Sequence, residues 1–166
     1  LLQRISNVES ILIEHQKKFN AIETNTNYLQ PDTGIFFNDQ VFDAYVFSSE
    51  IICKAKKSLI LIDNYIDETT LLQLSKRNKK CNCTIYTERM SDKLRLDLEK
   101  HNSQYQPIEI RILKNAHDRF LIIDEKELYH LGASLKDLGK RWFAFSSPDS
   151  YREDGFLQEV VDHLRP

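Results

Sequence analysis

The spacing of apolar positions changes several times along the chain, and each spacing predicts a different element. Over residues 1–24, apolar side chains recur at alternating steps of three and four, which predicts an amphipathic helix. This pattern fits a short coiled coil and, equally well, a helix packed along its own domain. Residues 25–34 are polar and contain Pro31 and Gly34, so we expect a linker there.

From residue 35 to residue 146 the pattern alternates between helix and strand. Helices are expected over about residues 39–57 and 67–79 and from Ser91 onward, because apolar positions there share one face. Residues 58–65 form an apolar run ending in polar side chains, typical of a buried parallel strand whose carboxyl end opens toward a site. Further strands are predicted near residues 35–37, 83–87, 108–113, 119–124, 128–131 and 142–145. This order predicts an α/β fold with a mixed sheet covered by helices.

The same pattern predicts which side chains lie in the core. On the first helix of this region we expect five to face inward: Val41, Phe42, Tyr45, Val46 and Ile52. The aromatic residues Trp142, Phe143 and Phe145 are expected in the core, since a domain of this size needs its aromatic side chains inside. Residues 147–166 form a tail with a possible closing helix.

Composition narrows the classes of function. The 166 residues carry a net charge of -2 and a pI near 6.2, so any phosphate site must be a local basic patch. The longest apolar run is far too short to cross a bilayer, and no secretion signal is visible. The three cysteines lack zinc-site spacing and favour a reducing cytosol, so we expect a cytoplasmic protein. Because the chain begins at Leu1, we also expect a missing upstream domain.

The residues with the clearest chemistry lie between Asn115 and Asp137. His117 and Arg119 are two apart, so in an extended segment they project to the same side. A strand follows and ends at Asp124, and a second strand ends in the small residues 132–134. A histidine beside a cation, with a carboxylate and a small-residue turn nearby, is what chemistry at a phosphate group requires.

The segment HDRFLIID resembles the HxKxxxxD motif of the phospholipase D superfamily. His117 matches its histidine, Arg119 its lysine and Asp124 its aspartate, while GAS at residues 132–134 is similar to the family's small-residue turn. The resemblance covers roughly residues 35–146 and implies an α/β/α sandwich. Within the superfamily the chain looks like the nuclease branch, and most like the carboxyl-terminal half of bacterial proteins with a phage-antirepressor-type DNA-binding domain in front.

The resemblance also implies a mechanism without metal or cofactor. Family members bring two motif copies together, so that one histidine attacks phosphorus and forms a phosphohistidine while the other protonates the leaving group. This chain has one copy, so the resemblance implies a homodimer with two His117 side chains facing each other across a two-fold axis. Arg119 would clamp the phosphate, and Asp124 would orient the histidine. Alternatively, Asp124 only begins the tight turn between two strands.

Four further residues are expected to bind substrate: Asp63, Tyr65, Ser134 and Lys136. Lys140 and Arg141 could hold flanking phosphates of a polymer.

Two departures from the family pattern bear on turnover. Arg119 replaces the usual lysine, which keeps the charge but changes its geometry. The family's downstream asparagine has no counterpart, because Leu135 or Lys136 falls there.

The sequence therefore predicts a metal-independent phosphodiesterase, a nuclease working as a homodimer. The alternative is a weak or inactive module for dimerisation or nucleic-acid binding, attached to an upstream DNA-binding domain. A lipid substrate is disfavoured, because no membrane-binding stretch is visible.

Overall fold

A computed structural model describes residues 33–146 and 155–165. The predicted helix over residues 1–24 and nearly all of the predicted linker lie outside these residues. The described chain contains one seven-stranded sheet in the order β1-β7-β6-β5-β2-β3-β4. Its strands are β1 Thr33–Phe36, β2 Ser58–Ile62, β3 Asn82–Thr87, β4 Ile108–Ile112, β5 Arg119–Ile123, β6 Glu127–Leu131 and β7 Phe143–Ser146.

The sheet is mixed, as predicted, and its two halves differ in direction. On one side β2, β3 and β4 run parallel, which matches the helical connections between them. On the other side β5 pairs antiparallel with β2, and β6, β7 and β1 continue antiparallel. The antiparallel pairing of β5 with β2 brings the amino end of β5 next to the carboxyl end of β2. We call this the site end of the sheet, and the opposite end the turn end.

Helices cover both faces of the sheet, which confirms the predicted α/β/α arrangement. They are α1 Val41–Lys54, α2 Glu68–Leu74, α3 Asp92–Gln104 and α4 Phe156–Leu164, with a 3₁₀ turn at Leu135–Asp137. The first three contribute apolar side chains to one core with Leu59, Leu61 and Leu121 of the sheet. Helix α4 lies on the other face, where the Tyr86 hydroxyl donates to the carbonyl of Leu164 at 3.0 Å and Val161 is buried. Among the described residues, no helix is long and apolar enough to span a membrane.

The buried face of α1 differs from the predicted one. Ile52 is buried as expected, but Val41, Phe42, Tyr45 and Val46 are exposed. The face that meets the core carries the small side chains Ala44 and Ser48 along with Phe47, Ile51 and Ile52. Small residues let the helix approach the sheet closely, and the Ser48 hydroxyl is satisfied by the carbonyl of Ala44 at 2.9 Å. The helix has two apolar stripes, and the spacing of apolar residues alone favoured the wrong one.

The turn from β5 to β6 at the turn end depends on Asp124. Asp124 and Glu125 both have positive φ, at 53° and 54°, which is uncommon for residues with a side chain. The Asp124 carboxylate accepts hydrogen bonds from the backbone N–H groups of Lys56, Lys57 and Ser58, at 3.1, 2.7 and 2.9 Å. Burial raises the pKa of this carboxyl, but these backbone donors outweigh it, so the net pKa is below its usual value. Asp124 thus fixes the connection from α1 to β2.

We predict that Asp124→Asn lowers the free energy of unfolding at pH 7 by about 1–2 kcal/mol, because the charge-assisted bonds to three backbone donors are weakened. The folded-state pKa is below the unfolded value of 3.8. The wild type should therefore exceed Asp124→Asn in free energy of unfolding by the full amount above pH 3.8. This difference should disappear as the pH falls through the lowered pKa. Urea unfolding of both proteins across this pH range measures the difference.

Glu125→Gln is the matched control for this experiment. Glu125 lies in the same turn with the same backbone conformation, but among the described residues its carboxylate forms just one exposed ion pair, with Arg165. Its substitution should change the stability by less than about 0.5 kcal/mol. Equal stability of Asp124→Asn and wild type at pH 7 would contradict the structural role of Asp124.

Candidate active site

Strand pairing assembles the candidate site at the site end of the sheet. Ile62, the last residue of β2, pairs with Phe120, the second residue of β5. Because the two strands are antiparallel, Asp63, which follows Ile62, comes next to Arg119, which precedes Phe120. Arg119 also pairs with Leu131, the last residue of β6, and the chain then continues into residues 132–134. The sheet therefore brings together three segments that are far apart in the sequence.

A buried carboxylate joins two of these segments. Asp63 is 1% exposed and accepts hydrogen bonds from the Ser134 hydroxyl at 2.7 Å and the Leu135 N–H at 3.0 Å. The N–H of Tyr65 donates to the same carboxylate at 2.9 Å. Burial raises the pKa of Asp63, while these three hydrogen bonds and the charge of Arg119 oppose the shift. Asp63 thus fixes the turn after β6 against the end of β2.

Asn64 holds the segment that precedes the candidate catalytic histidine. Its side-chain amide donates to the carbonyl of Ala116 at 2.7 Å, and its carbonyl oxygen accepts from the N–H of Glu88 at 2.9 Å. Ala116 is the residue before His117, whose own side chain is exposed. Asn64 therefore restrains the backbone from which His117 projects toward solvent.

Arg119 is the cation at the centre of this end of the sheet. Its guanidinium lies over the ring of Tyr65, 5.5 Å from the centroid, in a cation–π contact. Its Nε atom is buried and has no hydrogen-bond partner among the residues that the structure describes. A buried donor without a partner is costly, and the guanidinium that carries it lines the cleft described below.

A cleft of about 530 Å³ opens in front of Arg119. Its walls include Tyr65, Ser134, Lys140, Arg141 and Trp142. This volume is in the usual range for small-ligand pockets. The Lys140 ammonium is paired at 2.9 Å with the carboxylate of Asp137, another wall residue. Arg141 is exposed and has no ion-pair partner within residues 33–146 and 155–165. The cleft thus presents two cations to a bound anion, Arg119 and Arg141.

The structure brings together most of the predicted site residues. Arg119, Tyr65 and Ser134 line the cleft, and the buried Asp63 is hydrogen-bonded to Ser134. His117 is not among the residues that line the cleft, and its exposed side chain lies two positions before Arg119 on the same segment. Lys136 is not among the residues that line this cleft, and its charge instead acts on Asp67, the residue that caps α2.

Asp124 does not lie with His117 and Arg119. It follows the last residue of β5, whereas Arg119 is the first, so the strand separates them by roughly 16 Å at the rise of an extended chain. The carboxylate is held by backbone donors of the α1–β2 connection at the turn end. The predicted role of orienting the histidine is therefore corrected, and the alternative role in the turn describes this residue.

Trp142 is the contributor to the cleft that the sequence analysis missed. Trp142 was expected in the core but is 66% exposed at the cleft, whereas Phe143 and Phe145 are buried. The signal for an exposed tryptophan was its place directly after Lys140 and Arg141.

The resemblance to the phospholipase D superfamily placed Asp63, Asn64 and Tyr65 at a strand end where family members bring polar side chains to the site. In the structure, Asn64 contacts the segment before His117.

These groups can bind and polarise an anion. Arg119 supplies a fixed positive charge, and the exposed imidazole of His117 can act as a nucleophile or move a proton. Within the described residues, no three His, Cys, Asp or Glu side chains lie together as a metal site.

Comparisons with known proteins identify the fold. TrmBL2, described as an archaeal chromatin protein with a novel mode of DNA binding, matches over 96% of this chain and 62% of its own, with 12% identity and a TM-score of 0.52. NucT from Helicobacter pylori matches over 78% and 95%, with 12% identity and a TM-score of 0.53. The phospholipase D family member Nuc from Salmonella typhimurium matches over 79% and 90%, with 12% identity and a TM-score of 0.56.

This chain therefore has the phospholipase D fold, as the motif predicted. It spans less than two thirds of the length of TrmBL2. No family model matches the sequence, and no curated protein matches it.

We predict that Asp63→Ala lowers the free energy of unfolding by about 2–4 kcal/mol, because the Leu135 N–H and the Ser134 hydroxyl lose their acceptor in a buried position. The pKa of Asp63 is raised in the folded state, so its ionisation opposes folding. The contribution of Asp63 to the stability of the wild type should be highest below pH 3.8 and should fall as the pH rises through the raised pKa. The variant, which lacks this carboxyl group, should not show this pH dependence. Urea unfolding at a series of pH values measures both effects.

The control is Glu99→Ala, which removes an exposed carboxylate in the middle of α3 and should be close to neutral. If Asp63→Ala were as stable as this control at pH 7, Asp63 would not hold the turn after β6.

Proposed function

We propose that this chain is a metal-independent phosphodiesterase that acts on nucleic acid. The observation that carries the proposal is the Arg119 guanidinium, which faces a cleft with its buried Nε unsatisfied by the described residues, two positions after the exposed His117. The cation neutralises the charge of a phosphodiester, and the histidine supplies the nucleophile or the general acid. The shared fold with Nuc supports this assignment.

The proposed reaction needs two histidines. In the first step the imidazole of one His117 attacks phosphorus, a P–N bond forms, the P–O bond to the leaving group breaks, and the second His117 gives its proton to the leaving oxygen. In the second step that histidine takes a proton from water, whose oxygen attacks phosphorus and releases the first His117. A chain with one motif obtains the second histidine from another copy, so we propose a homodimer with the site on its two-fold axis.

The remaining part of the proposal concerns the amino-terminal residues. The helix predicted over residues 1–24, if it forms a coiled coil, would assist this dimer.

A second candidate function is a module that binds nucleic acid without turnover. This candidate is favoured by the residues that occupy the position of the family's asparagine. Leu135 is 3% exposed in the core there, and the charge of Lys136 acts on Asp67. Neither side chain offers an amide to a substrate, and Arg119 replaces the usual lysine. TrmBL2, which has a similar fold, is described as binding DNA.

We predict that His117→Ala reduces cleavage of single- and double-stranded DNA in EDTA by about three orders of magnitude or more, because the nucleophile is removed. The rate is measured on labelled oligonucleotides with wild type, His117→Ala and His163→Ala. His163 is an exposed histidine on α4, so its substitution should leave the rate unchanged.

Equal cleavage by wild type and His117→Ala would overturn the assignment of His117. Binding of DNA without cleavage by any of the three proteins would favour the second candidate.

A further inference from the structure

Trp142 is held at the cleft with most of its surface open to solvent. It lies just before β7, and its indole packs against the ring of Phe37 in a T-shaped contact, with a centroid distance of 4.8 Å and an angle of 87° between the ring planes. The side chain is still 66% exposed. An aromatic ring that is fixed by a neighbour and exposed to a cleft loses little freedom when a flat ligand stacks on it.

The second aromatic wall residue, Tyr65, already has a partner. Its ring supports the Arg119 guanidinium, 5.5 Å from its centroid. Tyr65 therefore positions the phosphate clamp, and Trp142 is the more exposed of the two aromatic wall residues, at 66% against 57%. Arg141 precedes it directly and places a cation beside the indole.

We infer that this cleft takes unpaired nucleotides, with one base stacked on Trp142 while the adjacent phosphates meet Arg119 and Arg141. The inference rests on the proposed function for the nucleic-acid substrate and adds its class, a single strand of DNA or RNA. In a duplex the faces of the bases are covered by their neighbours, so only an unpaired base can offer its face to the indole. A cleft of about 530 Å³ suits a ligand of nucleotide size.

Trp142 is the single tryptophan of the chain, so its fluorescence reports on the stacking directly. The experiment uses the full chain with His117→Ala in EDTA, so that strands are bound without being cut. A short oligothymidylate, an abasic strand of the same length, a blunt duplex and an oligouridylate are titrated separately. The abasic strand keeps the phosphates and lacks the bases, and the oligouridylate distinguishes RNA from DNA.

We expect the oligothymidylate to quench the fluorescence of Trp142 and to bind roughly 5- to 150-fold more tightly than the abasic strand, the range that stacking of one base gives. Trp142→Ala, followed by anisotropy of a labelled strand, should lower the affinity for oligothymidylate to that for the abasic strand. Trp142→Phe should retain most of the affinity, because it keeps an aromatic face. Leu96→Ala, which removes an exposed apolar side chain on α3, is the matched control and should bind like the parent protein.

Equal affinity for the abasic and base-containing strands, or equal quenching by the blunt duplex, would overturn the inference. Failure of this inference is separable from failure of the proposed function. Cleavage by wild type without stacking on Trp142 would refute only the single-strand assignment, whereas stacking without cleavage would support it and refute the phosphodiesterase.

Discussion

The buried carboxylate of Asp63 holds the site together, because it joins the end of β2 to the turn that follows β6. Through Ser134 and Leu135 it fixes the small-residue turn that forms one wall of the cleft, and through the N–H of Tyr65 it fixes the ring that supports Arg119. Removing this carboxylate from water disfavours its charged form, and the hydrogen-bond donors around it offset only part of that effect. The geometry of the clamp therefore depends on a polar network that is satisfied only in the folded sheet.

The two ends of strand β5 have different roles, although both belong to a motif of only eight residues. At its amino end Arg119 faces the cleft, and at its carboxyl end Asp124 fixes the connection between α1 and β2. The interior of β5, with Leu121, Ile122 and Ile123, is buried and links the two ends rigidly. A sequence motif can thus combine residues for chemistry with a residue for folding. The end of the strand at which each residue lies determines its role.

Much of the fold could be predicted from the sequence, because the apolar run of β2 and the helix–strand alternation follow directly from burial. The resemblance to the phospholipase D motif, and not periodicity, placed Asp63, Tyr65, Arg119 and Ser134 in one site. Asp124 could not be assigned from spacing alone, because its partners are backbone groups of Lys56–Ser58, distant in the sequence. The buried stripe of α1 and the exposure of Trp142 depend on close packing and on the contact with Phe37, neither of which periodicity encodes.

Covalent capture of the enzyme with its substrate tests the central claim most directly. A 5′- or 3′-labelled oligonucleotide is mixed with wild-type protein in EDTA, the reaction is quenched in alkali, where a phosphohistidine survives, and the labelled peptide is mapped. We expect an acid-labile adduct on the peptide that contains His117. An adduct on another residue, or cleavage without any adduct, would contradict the account.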